Sequence, residues 1–134
     1  MEERLQGTEI TVGVLGNRDL LALPVVEIVS RHTLFDYQSK YDPTLSEEIC
    51  PARIPEATAG LAQDRARRAH RSLACRGLSR ADMIVTARGP VVLEVNTLPG
   101  MTVNSLLPNA ARAAGIDFPE LLDRLVQLAL EPQD

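Results

Sequence analysis

The 134-residue sequence contains no tryptophan and only two phenylalanines and two tyrosines. A chain so poor in aromatic rings cannot build the stacking platforms on which single-stranded nucleic acids are held. It also lacks any block of lysines or arginines long enough to track a phosphate backbone, and its formal net charge is −4. Nucleic acid is therefore not an expected partner. No run approaches the about 18 apolar residues of a membrane-crossing helix, and the opening "MEERLQG" is acidic, without the apolar core of a secretory leader. No membrane partner and a cytoplasmic address are expected. The two cysteines, Cys50 and Cys75, are too few for a disulfide framework and lack metal-site spacing, which points to two reduced thiols.

What remains is ordinary in amount: 45% hydrophobic and 24% charged residues, as in a soluble globular protein with one domain and its own core. "EITVGVL" (residues 9–15) and "PVVEIVS" (residues 24–30) are short, rich in β-branched residues and separated by the turn-rich "GNRDLLAL", so they read as neighbouring strands. Residues 31–53 lose periodicity, carry Pro43 and Pro51, and hold Phe35, Tyr37 and Tyr41. A long structureless stretch with most of the chain's aromatics predicts a functional lid or binding loop.

Ala59, Ala62, Ala66, Ala69 and Leu73 then recur at three- and four-residue steps behind Pro55 and Glu56, which predicts an amphipathic helix ending before Gly77. Arg65, Arg67, Arg68 and Arg71 fall on its remaining face and read as solvated surface. Strands over residues 78–86 and 91–97 follow, joined by "ARGP", then a short helix stopped by Gly115 and a closing helix from Asp117. In the last, Asp117 and Glu120 have capping-box spacing, Pro119 suits a first turn, and Leu121, Leu122, Leu125, Leu128 and Ala129 form the expected buried stripe. There are no internal repeats. The order β-β-loop-α-β-β-α-α predicts an α+β fold, a mainly antiparallel sheet with covering helices.

The stretch "VVLEVNTLPGMT" asks for chemistry. Side chains two apart on a strand share a face, so Glu94 and Asn96 look the same way, as do Arg80 and Asp82 on the preceding strand. A three-residue hairpin loop with Gly89 in the left-handed position pairs Thr86 with Pro90, which sets Asp82 opposite Glu94 and Arg80 opposite Asn96. A two-residue loop would shift the register by one and send Asp82 to the other face. In the expected register two carboxylates and an amide oxygen converge beside an arginine. Hard oxygen donors of this kind suit Mg²⁺, which borrows its remaining ligands from waters and substrate phosphates. The alternative is an Asp–Arg salt bridge on a solvated sheet face. After the Pro-Gly turn, Ser105 stands at a helix start, where free backbone N–H groups bind a carboxylate or an oxyanion. A plain helix cap is the other reading of Ser105.

"LEVNTLPGMTVNSLLPNAARAAGIDFPELLDRLVQLA", with "EITVGVLGN" and "FDYQSKY" upstream, resembles the C-terminal portion of D-alanine–D-alanine ligases of the ATP-grasp superfamily. The resemblance runs along essentially the whole chain, so residues 1–134 are expected to be the C-terminal part of an ATP-grasp domain with its active-site loop at about residues 31–53. It implies ATP-dependent joining of two D-alanines through an acyl phosphate, for peptidoglycan synthesis. Asp82, Glu94 and Asn96 match the family's ligands for two Mg²⁺ ions, with Mn²⁺ as a substitute. Arg80 and the backbone N–H of Gly100 match the groups that stabilise the acyl phosphate and the tetrahedral species. Ser105 and Leu106 match the contacts to the carboxylate of the second D-alanine. Lys40 and Tyr41 fall in the mobile active-site loop, and Tyr41 after Lys40 looks like the dipeptide-forming members. Glu9 matches the ribose-binding glutamate, and Glu2, Glu3 and Leu5 lie in the adenine-binding linker, where Glu3 replaces the usual lysine. Nothing here corresponds to the family's N-terminal domain or to the phosphate-binding lysines of its central segment. The expected partners are therefore ATP, D-alanine, and a second copy or a complementing N-terminal half. The alternatives are another ATP-grasp carboxylate–amine ligase and a non-catalytic ATP-grasp remnant serving as a partner subunit.

Overall fold

The computed structural model describes residues 7–30, 46–97, 99–101 and 105–132. Its strands are β1 (Thr8–Gly16), β2 (Leu21–Ala22), β3 (Val26–Ser30), β4 (Ser46–Ile49), β5 (Gly77–Thr86) and β6 (Gly89–Asn96). They form one antiparallel sheet in the order β4–β3–β1–β5–β6, with β2 alongside β1. The helices are α1 (Glu56–Ser72), α2 (Leu106–Ala113) and α3 (Phe118–Leu130). The four longer strands and three helices are those the sequence predicts. β2 and β4 are additions, one inside the turn-rich "GNRDLLAL" and the other inside the segment read as loop. "SEEI" carries no strand signature of its own. It becomes β4 because the edge of β3 offers it a ladder, pairing Ile28 with Glu48 and Glu27 with Ile49.

β1 reads as a near-continuous apolar run because it is covered on both faces. Ile10, Val12 and Val14 point to one side and pack with Ala81 and Met83 of β5 against Ala62 and Ala66 of α1. Leu15 points to the other side and joins Leu23, Val26, Leu107, Ala110, Ile116 and Leu121 beneath α2 and α3. The buried seam of α1 is Ala62, Ala66 and His70. Leu73, expected to continue it, is 60% exposed. His70 is buried in its stead because its ring satisfies both nitrogens, 2.7 Å from Ser79 Oγ and 2.9 Å from the Gly16 carbonyl oxygen. Arg65 also departs from expectation: it is half-buried and donates from Nη1 to the Pro90 carbonyl of the hairpin, tying α1 to the sheet.

At the N-terminus of α3, Asp117 Oδ1 accepts the Glu120 backbone N–H at 2.9 Å, while the Glu120 carboxylate pairs with Arg124 at 2.9 Å. The cap therefore forms in one direction only. The buried side of α3 is Leu121 with half-buried Leu125 and Leu128. Leu122 and Ala129, expected in that stripe, are exposed, because one helix lying on one sheet face covers a narrower arc than five residues span. No helix among the described residues is long and apolar enough to cross a membrane.

Candidate active-site cleft

The hairpin β5–β6 positions the charged residues by a route the sequence does not show. Its loop is the two-residue form, Ala87 and Arg88, with Thr86 opposite Gly89 and Val85 opposite Pro90. Gly89 does take the left-handed conformation, φ 105°. A two-residue loop alone would carry Glu94 to the wrong face. A β-bulge between Asp82 and Met83 corrects it: Met83 faces Val92 while Asp82 faces Glu94, so Leu93 has no opposite number. Beyond the bulge Arg80 faces Asn96. The expected pairings of Asp82 with Glu94 and Arg80 with Asn96 thus hold, and the expected three-residue loop does not.

The same face continues across β1. Thr11 pairs with Asp82 and Gly13 with Arg80, so the sheet carries the rows Thr11–Asp82–Glu94 and Gly13–Arg80–Asn96. At Gly13 an added Cβ would lie 3.0 Å from Leu23 Cδ1 and 3.2 Å from Leu107 Cδ1. Glycine there lets α2 settle close beside Arg80.

Between the two rows Arg80 Nε donates to Asp82 Oδ1 at 3.1 Å and Nη2 to Oδ2 at 3.2 Å. The Asp–Arg salt bridge of the alternative reading is therefore present, though both side chains are only partly exposed, 21% and 29%. A bidentate guanidinium–carboxylate pair fixes the two planes relative to each other. Thr11 Oγ donates to the same Asp82 Oδ1 at 2.8 Å. Glu94 is exposed and Asn96 half-buried.

A cleft of about 200 Å³ opens beside these rows, and Glu9, Thr11, Glu48, Arg80, Asp82 and Leu106 all line it. Four of the six are residues singled out in the sequence, drawn from β1, β5 and the start of α2. Larger clefts of 420, 370 and 260 Å³ lie elsewhere on the surface and contain none of these groups. Chemistry rather than size therefore identifies the site. Ser105 occupies the N-cap position of α2 in an extended conformation without capping the helix through its side chain, which disfavours the plain-cap reading. Gly100 is exposed and lies against Ser105: a Cβ built on it would come 3.1 Å from Ser105 Oγ. Lys40, Tyr41, Glu2, Glu3 and Leu5 lie outside the described residues.

Two wall residues were not anticipated. Thr11 shares a face of β1 with Glu9 at a spacing of two, and its meeting with Asp82 required only the knowledge that β1 and β5 are neighbours. Glu48 comes from β4, and Asn109 Nδ2 of α2 approaches its Oε2 at 3.5 Å. β4 is in turn held by a clasp under the sheet. Buried Glu27 receives the Arg53 backbone N–H at 2.9 Å, Nε at 3.2 Å and Nη2 at 2.9 Å. Arg53 holds the Glu27 carboxyl below its usual range, chiefly through the side-chain hydrogen bond. Both cysteines are free thiols whose pKa burial pushes up, so neither is an activated nucleophile.

Among the described residues no group of three or more His, Cys, Asp or Glu side chains is gathered for a metal ion. The oxygen donors that the β5–β6 hairpin brings to this face are two carboxylates and an amide oxygen. A set of hard oxygens this small fits Mg²⁺ or Mn²⁺ completing its shell with phosphate and water, and lacks the nitrogen and sulfur donors that most zinc sites include.

A sequence model of the family described as D-ala D-ala ligase C-terminus matches residues 1–127. The chain is similar to the D-alanine–D-alanine ligase of Syntrophobacter fumaroxidans, with 53% identity over 133 residues that cover 98% of this chain and 43% of that protein. It is 50% identical over 132 residues to the D-alanine–D-alanine ligase of Pelotomaculum thermopropionicum, covering 98% of this chain and 42% of that one. Its fold is similar to a crystal structure of D-alanine–D-alanine ligase from Bacillus anthracis complexed with ATP, with TM-score 0.79 and 36% identity over 96% of this chain and 41% of that one. It is equally close to the VanG D-Ala:D-Ser ligase of Enterococcus faecalis, with TM-score 0.80 and 37% identity over 96% of this chain and 38% of that one. The chain therefore spans less than half the length of the relatives it matches.

Proposed function

The chain belongs to the D-alanine–D-alanine ligase C-terminal family, and from that membership we propose that it supplies the metal and second-substrate side of an ATP-dependent ligase. The enzyme joins two D-alanines through an acyl phosphate and feeds cytoplasmic peptidoglycan synthesis. The observation that carries this reading is the restored register at Leu93, where a bulge sets Glu94 opposite Asp82 and Asn96 opposite Arg80, while Asp82 and Arg80 themselves line the cleft.

In this reading Asp82, Glu94 and Asn96 present hard oxygens to two divalent cations. Such ions, when bound, neutralise the phosphate oxygens and hold the reacting phosphoryl group in line. Arg80, already oriented by its fork on Asp82, offers its remaining N–H groups and full charge to the developing anion. The backbone N–H of Gly100 is a second donor for that anion. Ser105, Leu106 and the N-terminus of α2 receive the carboxylate of the second amino acid, favoured there by the helix dipole. Glu9, which lines the cleft, is assigned to the ribose by resemblance. Lys40 and Tyr41, and Glu2, Glu3 and Leu5, are assigned to the active-site loop and the adenine linker by resemblance. The matched region is the C-terminal portion of such a ligase, and the first amino-acid site is assigned to a complementing N-terminal half. The D-alanine–D-alanine names of relatives at 50–53% identity favour D-alanine over D-serine as second substrate.

The test is phosphate release from ATP with D-alanine and Mg²⁺, comparing the natural protein with an Asp82→Ala, Glu94→Ala double variant. D-alanine-dependent release is expected to fall on the order of a hundredfold or more in the variant. Release that persists in the variant, or that ignores D-alanine, would sink the assignment.

A further inference from the structure

Thr11 lies in the central strand with 3% of its surface exposed, and its hydroxyl is 2.8 Å from Asp82 Oδ1 and 3.3 Å from the Ala81 carbonyl oxygen. A hydroxyl has a single proton to give, and the nearer, charged acceptor takes it. Asp82 Oδ1 then receives two hydrogen bonds, from Thr11 and Arg80 Nε, while Oδ2 receives one, from Arg80 Nη2. A carboxylate has about four lone-pair sites, two on each oxygen. Among the described residues both sites of Oδ1 are filled and one site of Oδ2 is left.

We propose that Thr11 is a positioning residue: its hydroxyl anchors Asp82 Oδ1 so that Oδ2 is the oxygen presented to a divalent cation. The inference rests on the reading of Asp82 as a metal ligand. Arg80 alone would leave the carboxylate free to swing with the guanidinium, since both side chains are partly exposed. Thr11 is buried, β-branched and stiff at χ1, and it grips the carboxylate from the sheet itself. Partners that orient a metal ligand in this way typically change metal affinity by about 10- to 100-fold when removed.

A purely structural role is separable. Thr11→Val keeps the shape and loses the donor, and Thr11→Ser keeps the donor. Mn²⁺ uptake is followed by electron paramagnetic resonance on the full protein in the presence of ADP, with thermal melting alongside. The half-saturating Mn²⁺ concentration is expected to rise about tenfold or more in Thr11→Val, to remain near the natural value in Thr11→Ser, and to rise at least as far in Asp82→Asn. If Thr11→Val fails to fold, Thr11→Ala carries the same arm. Natural affinity in Thr11→Val beside weakened binding in Asp82→Asn would overturn the role of Thr11 and leave the metal reading intact. A Thr11→Ser variant as weak as Thr11→Val would also overturn it. Undiminished binding in Asp82→Asn, or no uptake by the natural protein, would overturn the metal reading and this inference together.

Discussion

Asp82 and His70 show how differently one sheet treats two polar side chains. Asp82 sits at a cleft, gathers donors and keeps a face toward solvent. His70 is sealed at 1% exposure and must use both ring nitrogens. The Gly16 carbonyl can only accept, so Nε2 carries the proton and Nδ1 accepts from the Ser79 hydroxyl. A charged ring would donate from Nδ1 to the Ser79 oxygen instead, so the preference for the neutral ring comes from burial. Burial pushes the His70 pKa below the ordinary 6.5, with the nearby charge of Arg71 adding and the bond to Gly16 opposing. The unfolded chain therefore takes up this proton more readily than the folded one. The stability His70 contributes is complete above pH 6.5 and is lost as pH falls below 6.5 toward the folded value. Glu27 has the same sign at lower pH: Arg53 holds it below 4.5, so its contribution is present above that value and lost below it. The melting temperature is expected to fall between pH 7 and pH 5, and a His70→Gln variant, though less stable throughout, should show a flatter profile over that interval. Parallel profiles for the two proteins would show that His70 does not titrate with unfolding.

At the scale of elements the hairpin decides the site. Leu93 is 53% exposed and unopposed, so its own packing is of little consequence. What it supplies is a count. Deleting Leu93 leaves Glu94 next after Val92 and still opposite Asp82. Inserting an alanine after Leu93 pushes Glu94 and Asn96 one position on, toward the face of Met83. Mn²⁺ binding is therefore expected to survive the deletion within a few-fold and to be lost in the insertion, with both proteins folded by circular dichroism. Binding retained in the insertion would show that register does not assemble the site. Period-two reasoning on "SRADM" and "LEVNT" finds the right faces. It cannot find the bulge, because loop length and bulge are two errors that cancel and leave the same pairing. β4 was illegible for another reason: "SEEI" has strand form only because β3 offers an edge.

The whole molecule is a sheet with α1 on one face and α2 and α3 on the other, and the cleft lies where α2 starts beside Arg80 and Asp82 of β5. Among the described residues its edge strands are β4 and β6. On the outer side of α3, Leu122, Val126 and Leu130 recur at four-residue steps and are 40%, 55% and 74% exposed. Edge strands and a continuous apolar stripe favour association. The sedimentation coefficient of this chain is expected to rise with concentration, and a clean monomer across a wide range would count against it.

Local chemistry along the chain was sufficient for the alternation that aims Arg80 with Asp82 and Glu94 with Asn96, for the cap at Asp117, and for the family motif from Glu94 to Ser105. Each depends on neighbours a few positions away, where backbone geometry leaves few choices. The meeting of Thr11 with Asp82, 71 positions apart, and the arrival of Glu48 at the cleft wall were decided by strand order. So was the burial of His70 in place of Leu73. These depend on which strands lie side by side and how closely helices settle on them. Such choices minimise exposed apolar surface and unpaired backbone over the whole chain at once, and no short stretch of residues encodes them.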